Sequence, residues 1–231
     1  MRNRRLMFRC CFLAAMMILA GCAPETLFES NFDATPVNQP PAPVQQVGTA
    51  NVFGPAGSVV VVAAPVVPSG KWVQVNRPNG PNVAGLQGGF AQFRGSGTYN
   101  FSAFMYMPAG RQIATIQFES FNQSLGDLSN FLHLDFMQNN GVRIDDNAAT
   151  EFGLFPRDQV FIVQVTLNTN ATSPTAHIVL SGAGASGQAD YAVLPQFRAA
   201  AQQFGAVRIW EGFPWVGPFD ATQIVVTRNT Q

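Results

Sequence analysis

Residues 131–137 read Phe-Leu-His-Leu-Asp-Phe-Met. In an extended chain the even-numbered apolar side chains share one face, while Phe131, His133 and Asp135 share the other. Residues 112–120 and 161–167 alternate in the same way. One apolar face and one largely polar face are typical of half-buried antiparallel strands. These stretches therefore predict sheets that bury one side and expose the other.

Similar segments follow one another along the chain, separated by turn signals such as Pro-Ala-Gly at 108–110 and Asn-Asn-Gly at 139–141. Many short strands at this spacing indicate a sandwich or barrel rather than βαβ units. The predicted strands are 27–33, 58–63, 71–76, 89–93, 98–107, 112–120, 131–137, 142–145, 159–168, 175–181, 207–211 and 221–227. Only residues 196–204 predict a helix, of about two turns.

The composition fits this class. The chain has 231 residues, 47% of them hydrophobic and only 11% charged, against about a quarter charged in ordinary soluble domains. It contains 20 Phe, 21 Gly and 16 Pro, residue types that suit pleated surfaces and turns. We therefore predict an all-β fold, an antiparallel β-sandwich with one short helix.

The amino terminus carries a targeting signal. Residues 1–5 include three arginines, residues 6–20 are almost entirely apolar, and Leu19-Ala20-Gly21-Cys22 follows. An apolar stretch this short behind positive charge is typical of a signal peptide and not of a membrane-spanning helix. The last four residues resemble the bacterial lipobox, which implies cleavage after residue 21 and acylation of Cys22. An ordinary signal peptide that happens to contain a cysteine is the alternative.

The lipobox resemblance implies a lipid bilayer as partner, reached through the acyl chains, palmitate among them, on Cys22. Two or three acyl chains give stable anchoring where one does not. Ala23 follows the cysteine, and in lipoproteins of Gram-negative bacteria this position favours the outer membrane when it is not Asp. Cleavage of residues 1–21 removes four of the 13 Lys and Arg residues, so the mature chain has nine basic residues and 13 acidic ones. This negative balance argues against nucleic acid as a partner.

Three cysteines are present, Cys10, Cys11 and Cys22. The first two leave with the signal peptide, so the mature chain has no disulfide and depends on burial for its stability. We predict an anchor and short tether at 22–26 and a domain at 27–231. The Pro-rich stretch 36–44 is either a loop of that domain or, as part of 34–45, the tether itself.

The ends of the predicted domain resemble jelly-roll sandwiches of the concanavalin A-like lectin/glucanase superfamily, which includes laminin-G-like and carbohydrate-binding modules. The resemblance rests on Phe-Glu-Ser-Asn-Phe-Asp at 28–33 and on Gly-Pro-Phe-Asp at 217–220 before the last strand. It implies that the two ends pair in one sheet. The superfamily's glucanases carry Glu-x-Asp-x-Glu on one strand, where this chain has Phe131-x-His133-x-Asp135 with no flanking Glu. The catalytic motif is thus absent in that form.

The candidate ligand-binding residues lie on the polar strand faces and near the carboxyl end. They are Gln117, Glu119, His133, Asp135, Arg143, Trp210 and Trp215. The polar set either lines a sugar-binding sheet face or forms an ordinary solvated one. Trp210, which shares a face with Arg208, and Trp215 either stack on sugar rings or pack a loop against the sandwich.

No cofactor and no catalytic residue is predicted. Asp145, Asp146, Glu29, Asp33 and Asp220 could contribute oxygen ligands to a structural Ca²⁺, but no calcium loop is visible in the sequence. The leading hypothesis is an envelope lipoprotein whose non-catalytic sandwich binds a glycan or a partner protein. The alternatives are a polysaccharide-cleaving enzyme using His133, Asp135 and Glu119, which requires these side chains to converge in a cleft, and a purely structural envelope protein.

Overall fold

The computed structural model describes residues 23–66, 70–77, 82–110, 113–170, 172–212 and 217–229. Cys22 and Trp215 lie outside the described residues. The strands are β1 Glu25–Ser30, β2 Thr49–Phe53, β3 Val59–Ala63, β4 Lys71–Arg77, β5 Ala84–Gly89, β6 Thr98–Tyr106, β7 Ala114–Ser120, β8 Asn130–Phe136, β9 Val142–Ile144, β10 Asn147–Phe152, β11 Val160–Asn168, β12 Thr175–Gly182, β13 Gly187–Ala192, β14 Phe204–Glu211 and β15 Gly217–Arg228.

The strands form two antiparallel sheets. The eight-stranded sheet has the order β13-β12-β11-β6-β15-β4-β3, with β1 pairing to β15. The seven-stranded sheet has the order β10-β9-β8-β7-β14-β5-β2. One α-helix, α1 (Arg198–Ala201), follows a 3-10 turn at Pro195–Phe197, and a second 3-10 segment spans Gln123–Ser129. The predicted all-β sandwich with one short helix is confirmed. No helix among the described residues is long and apolar enough to span a bilayer.

Aromatic side chains join the two sheets across the core. Phe101 of β6 meets Phe118 of β7 with ring centroids 5.4 Å apart, and Phe161 of β11 meets Phe136 of β8 at 5.6 Å. All four residues are at most 3% exposed. Burial of a ring this size stabilises the fold by about 1.5–3 kcal/mol relative to exposure. The alternation of β6 places Phe101 inward and leaves residues such as Asn100 and Ser102 outward.

The first and last strands pair, as the resemblance implies. Glu25 lies opposite Arg228, and Phe28 opposite Val226. Arg228 in turn lies opposite Tyr99, the second residue of β6. We call the end of the sandwich that holds Glu25 and Tyr99 the N-terminal end. The ring of Phe204, where β14 begins, lies 5.2 Å from that of Tyr99. Strand β14 therefore starts at the N-terminal end and runs to the opposite end.

The Pro-rich stretch 36–44 is hydrogen-bonded to the strands beside it. The Asn38 N–H donates to the Val61 carbonyl at 2.7 Å, and the Val61 N–H donates to the Gln39 carbonyl at 2.8 Å. The Pro43 carbonyl accepts from the Ala50 N–H at 2.9 Å. These bonds hold the stretch along β3 and β2.

The structure differs from the sequence prediction in several strand positions. The strand expected at 89–93 lies at Ala84–Gly89, β1 starts at Glu25 instead of residue 27, and β2, β10 and β13 were not expected. Phe131 was expected beside His133 on the outer face. A register shift between β7 and β8 instead turns Phe131 into the core, where it is 1% exposed and its ring lies 5.7 Å from that of Phe204.

Candidate ligand-binding face

The outward side of the seven-stranded sheet carries the predicted polar residues. Directly paired residues of an antiparallel sheet point to the same side. One cross-strand row contains Gln87, Arg208, Gln117 and His133, in that order. The neighbouring row contains Gly85, Trp210, Thr115, Asp135 and Arg143. The pairing of five strands thus gathers residues that are far apart in sequence.

Glu119 is the centre of a buried polar cluster on this face. Its side chain is 1% exposed, and its Oε1 accepts from Arg208 Nη2 at 2.9 Å and from Gln117 Nε2 at 2.9 Å. Its Oε2 accepts from Gln87 Nε2. The Arg208 guanidinium also lies over the ring of Phe53, with Cζ 5.0 Å from the centroid. The charge of Glu119 is therefore neutralised and hydrogen-bonded inside the protein.

Next to this cluster, the face contains a depression of about 240 Å³. Its walls combine apolar, aromatic and hydrogen-bonding groups from β7, β8, β14 and the segments beside them. The lining residues are Ile113, Thr115, His133, Asp135, Met137, Asp146, Trp210 and Gly212. An apolar and aromatic wall with a few fixed polar groups is typical of a small-ligand site.

Asp135 is the fixed polar group at the depression. It is 8% exposed, its Oδ1 accepts from Thr115 Oγ1 at 2.7 Å, and its Oδ2 accepts from the Asp146 N–H at 3.0 Å. Burial raises the pKa of Asp135, and the Thr115 hydroxyl, His133 and the Asp146 N–H offset part of that rise. The carboxyl is thus held in one orientation by a hydroxyl and a main-chain donor.

The turn between β9 and β10 supplies that main-chain donor. Asp145 and Asp146 both have positive φ, 55° and 52°, as a two-residue type I′ hairpin turn requires, and Asp tolerates this conformation. Asp145 Oδ1 accepts from the His133 N–H at 2.8 Å, and Asp145 Oδ2 accepts from the Tyr191 hydroxyl. This fixes the turn against β8, which explains why Asp146 reaches Asp135.

Two glycines make room for the indole of Trp210. A Cβ on Gly85 would lie 2.5 Å from Trp210 Cβ and from the Ile209 carbonyl oxygen. A Cβ on Gly212 would lie 2.6 Å from Trp210 Cζ3. Any larger residue at position 85 would therefore collide with backbone. The partly exposed Trp210 is seated against these two positions at the rim of the depression.

The structure brings together His133, Asp135 and Trp210 from the predicted set. Gln117 and Glu119 are on the same face, but they are 2% and 1% exposed and bind each other and Arg208. Arg143 donates from Nε to Glu151 Oε2 at 2.8 Å and does not line the depression. Trp215 and Cys22 lie outside the described residues, so both assignments stay predictions.

Sequence reasoning missed several lining residues, chiefly Thr115 and Asp146. Thr115 lies opposite Asp135 only because of the β7–β8 register, which the sequence does not specify. Asp146 contributes through a tight turn of two consecutive Asp residues, a pattern that in the sequence suggests only possible cation ligands. Among the described residues, no group of three or more His, Cys, Asp or Glu is placed to hold a metal ion.

Two further carboxyls are buried away from the depression. Glu211 ends β14 and is 1% exposed; burial raises its pKa to about 8, an effect that the Arg77 main-chain N–H and guanidinium charge only partly offset. Asp220 of β15 is 2% exposed; burial raises its pKa to about 6, although Gln74 Nε2 donates to it at 3.0 Å. Each group therefore stays protonated to a higher pH in the folded state than in the unfolded chain.

Comparison with known proteins yields structural neighbours only; no family model and no curated protein matches the sequence. The metal-free exoplasmic/lumenal domain of VIP36 matches with a TM-score of 0.51 at 9% identity, over 90% of this chain and 92% of that chain. Lectin II from Ulex europaeus matches with a TM-score of 0.47 at 14% identity, over 82% of this chain and 95% of that chain. A protein of Bacteroides thetaiotaomicron, described as a candidate sugar binding protein, matches with a TM-score of 0.49 at 11% identity, over 87% of this chain and 99% of that chain. At these identities the likeness concerns the fold alone, and the match to the VIP36 domain agrees with the two-sheet antiparallel β-sandwich described above.

Proposed function

We propose that the chain is a lipoprotein of the bacterial envelope whose β-sandwich binds a glycan, without cleaving it, in the depression beside Trp210 and Asp135. The proposal rests on one observation: the partly exposed indole of Trp210, the oriented carboxyl of Asp135 and the imidazole of His133 line the same depression. Sugars offer hydroxyls to fixed hydrogen-bonding groups and apolar C–H faces to aromatic rings. The lectin-like fold is compatible with this role, although fold alone does not decide function.

The position of the depression supports a tethered receptor. Trp210 lies six residues beyond Phe204, which packs against Tyr99 at the N-terminal end. At about 3.3 Å per residue, the indole is about 20 Å along the strand from that end. With acylated Cys22 at the membrane, the depression would lie toward the end of the sandwich that is farther from the bilayer. The outer membrane is the compartment that Ala23 favours.

Binding is favoured over cleavage by the bonds of Asp135. Glycoside hydrolysis needs a carboxylic acid free to protonate the leaving oxygen and a second carboxylate beside it. Asp146 does line the same depression, but both oxygens of Asp135 already accept hydrogen bonds from the protein. Glu119, the third member of the predicted catalytic set, is enclosed with Arg208. The carboxyl of Asp135 thus serves as a fixed acceptor.

The proposal is tested by presenting the purified protein to a glycan array that includes peptidoglycan fragments and envelope polysaccharides. We expect wild-type binding to a subset of glycans, with binding lost in Trp210→Ala and weakened in Asp135→Asn. Phe93→Ala removes an exposed aromatic at the opposite end and is the matched control, with unchanged binding. Absence of wild-type binding, or equal binding by Trp210→Ala, would contradict the proposal. Release of reducing sugar from a bound polysaccharide would favour the hydrolase alternative.

A further inference from the structure

Two aromatic side chains are exposed together at the N-terminal end of the sandwich. Phe93, in the loop after β5, is 44% exposed, and Phe121, directly after β7, is 46% exposed. Their ring centroids are 6.1 Å apart and their planes are tilted by 35°. We call these two residues the Phe93–Phe121 pair. Single exposed apolar residues are normal on soluble proteins, but two large rings in contact at the surface are a candidate interaction site.

The pair lies beside the start of the described chain. Arg94, which follows Phe93, forms an ion pair with Glu25, with Nη2 and Oε1 2.6 Å apart. Loop 90–97 is further tied to the end of β15, because Arg228 Nη2 donates to the Ser96 carbonyl at 2.8 Å. The loop that carries Phe93 is therefore fixed next to the first strand.

The distance from Glu25 to the predicted lipidation site is short. Cys22 precedes Glu25 by three residues, and a fully extended chain spans at most about 3.5 Å per residue, or about 10 Å here. A lipid on Cys22 would thus hold Glu25, and with it Arg94 and the Phe93–Phe121 pair, at the level of the lipid headgroups. The bilayer surface is then the nearest apolar phase for two half-exposed rings.

We propose that the Phe93–Phe121 pair inserts into the headgroup–acyl boundary of the membrane and orients the anchored sandwich. Phe is among the apolar side chains that membrane-surface segments bury at this boundary. The acyl anchor limits the distance of the domain from the bilayer, and the pair adds a second contact that limits its rotation. The inference rests on the lipidation contained in the proposed function, and it does not depend on glycan binding.

The chain offers a matched pair of labelling sites for a test. Ala91 is exposed in the loop of Phe93, and Ala183 is exposed in the turn after β12, at the opposite end. The mature lipoprotein has no other free thiol, since Cys10 and Cys11 leave with the signal peptide and Cys22 carries the lipid. Ala91→Cys and Ala183→Cys would each be labelled with an environment-sensitive fluorophore in the full lipoprotein. The protein would then be reconstituted into phosphatidylethanolamine–phosphatidylglycerol vesicles that contain nitroxide-labelled lipid.

We expect the fluorophore at residue 91 to be quenched several-fold more strongly than the one at residue 183. Phe93→Ser combined with Phe121→Ser should reduce quenching at 91 to the level at 183, while the protein still floats with the vesicles. Equal quenching at 91 and 183 in floating protein would overturn the inference and leave the anchor intact. Shielding of residue 91 without vesicles would also overturn it, since a second copy of the chain would then cover the pair. If the wild-type protein did not float with the vesicles, the assignment of a lipid anchor on Cys22 would be refuted, and this inference with it.

Discussion

Replacement of Glu119 by Gln tests whether the buried polar cluster is a structural support of the binding face. Gln is nearly the same size as Glu but offers one acceptor oxygen and two N–H donors where the carboxylate offers two acceptors. Both oxygens of Glu119 accept bonds, from Gln87 on one side and from Gln117 and Arg208 on the other. Glu119→Gln therefore leaves Arg208 without its counter-charge, and an amide nitrogen turned toward Arg208 places a donor against a donor.

The size of the effect follows from burial. Breaking a fully buried ion pair by removing one partner costs about 3–5 kcal/mol. The Arg208 side chain is 31% exposed, so that water recovers part of this cost, and we expect a loss of about 2–3 kcal/mol. In a domain of this size, 1 kcal/mol lowers Tm by about 2–4 °C, which gives a decrease of about 5–10 °C.

The matched control lies on the same sheet. Glu151 accepts from Arg143 and Asn139 at the exposed edge strand β10, so Glu151→Gln should leave Tm unchanged within error. The assay is thermal unfolding followed by circular dichroism, with urea unfolding as a second measure. Equal stability of wild type and Glu119→Gln, or equal losses in the two variants, would refute the assignment of Glu119 as the buried centre of the cluster.

Three further outcomes are expected. The folded protein holds a proton on Glu211 up to about pH 8, whereas the unfolded chain releases it near pH 4.5. The free energy of unfolding should therefore fall as pH rises between these values, by up to about 1.4 kcal/mol per pH unit. Urea unfolding at several pH values should show a flatter pH profile in Glu211→Gln, and an unchanged profile would refute the burial argument. Gly85→Ala should cost about 1–3 kcal/mol through overpacking against backbone and should reduce glycan binding. Gly89→Ala should cost less in the same assays, because the nearest atom to its Cβ is Thr49 Oγ1 at 3.2 Å. Thr115→Val removes a bond that lowers the pKa of Asp135, so the carboxyl carbon resonance should titrate at higher pH; titration at the wild-type pH would contradict the role given to Thr115.

The sequence predicts the central strands of the fold well because their apolar residues alternate. Strands β6 and β11 have neighbours on both sides and bury one face, whereas β7, which was expected to expose its polar side, is buried on both faces. Strands β2, β10 and β13 escaped prediction because each lies at an edge of its sheet and buries little. Edge strands need no apolar alternation to pair. Their sequences are dominated by small and polar residues and lack the pattern on which the prediction depended.

Strand β5 is displaced from the predicted range 89–93 for a different reason. Its sequence is Ala-Gly-Leu-Gln-Gly-Gly, and glycine is depleted in strands. Gly88 is needed because a Cβ there would lie 2.7 Å from the ring of Phe28, which packs from the other sheet. Such a requirement appears only when two distant segments meet. The candidate site is also only partly predictable from the sequence. The outward faces of β7 and β8 follow from their alternation. The register that places Thr115 opposite Asp135, and the turn that brings the Asp146 N–H to Asp135, depend on contacts between distant segments.

The depression beside Trp210 is the proposed glycan-binding site. The most direct test is a two-dimensional ¹H–¹⁵N NMR titration of the ¹⁵N-labelled protein with a glycan that the array identifies. We predict that the shifted resonances cluster at Ile113, Thr115, His133, Asp135 and Gly212, together with the Trp210 indole N–H. Shifts confined to the outward side of the eight-stranded sheet, for example around His177 and Asp190, would contradict the claim.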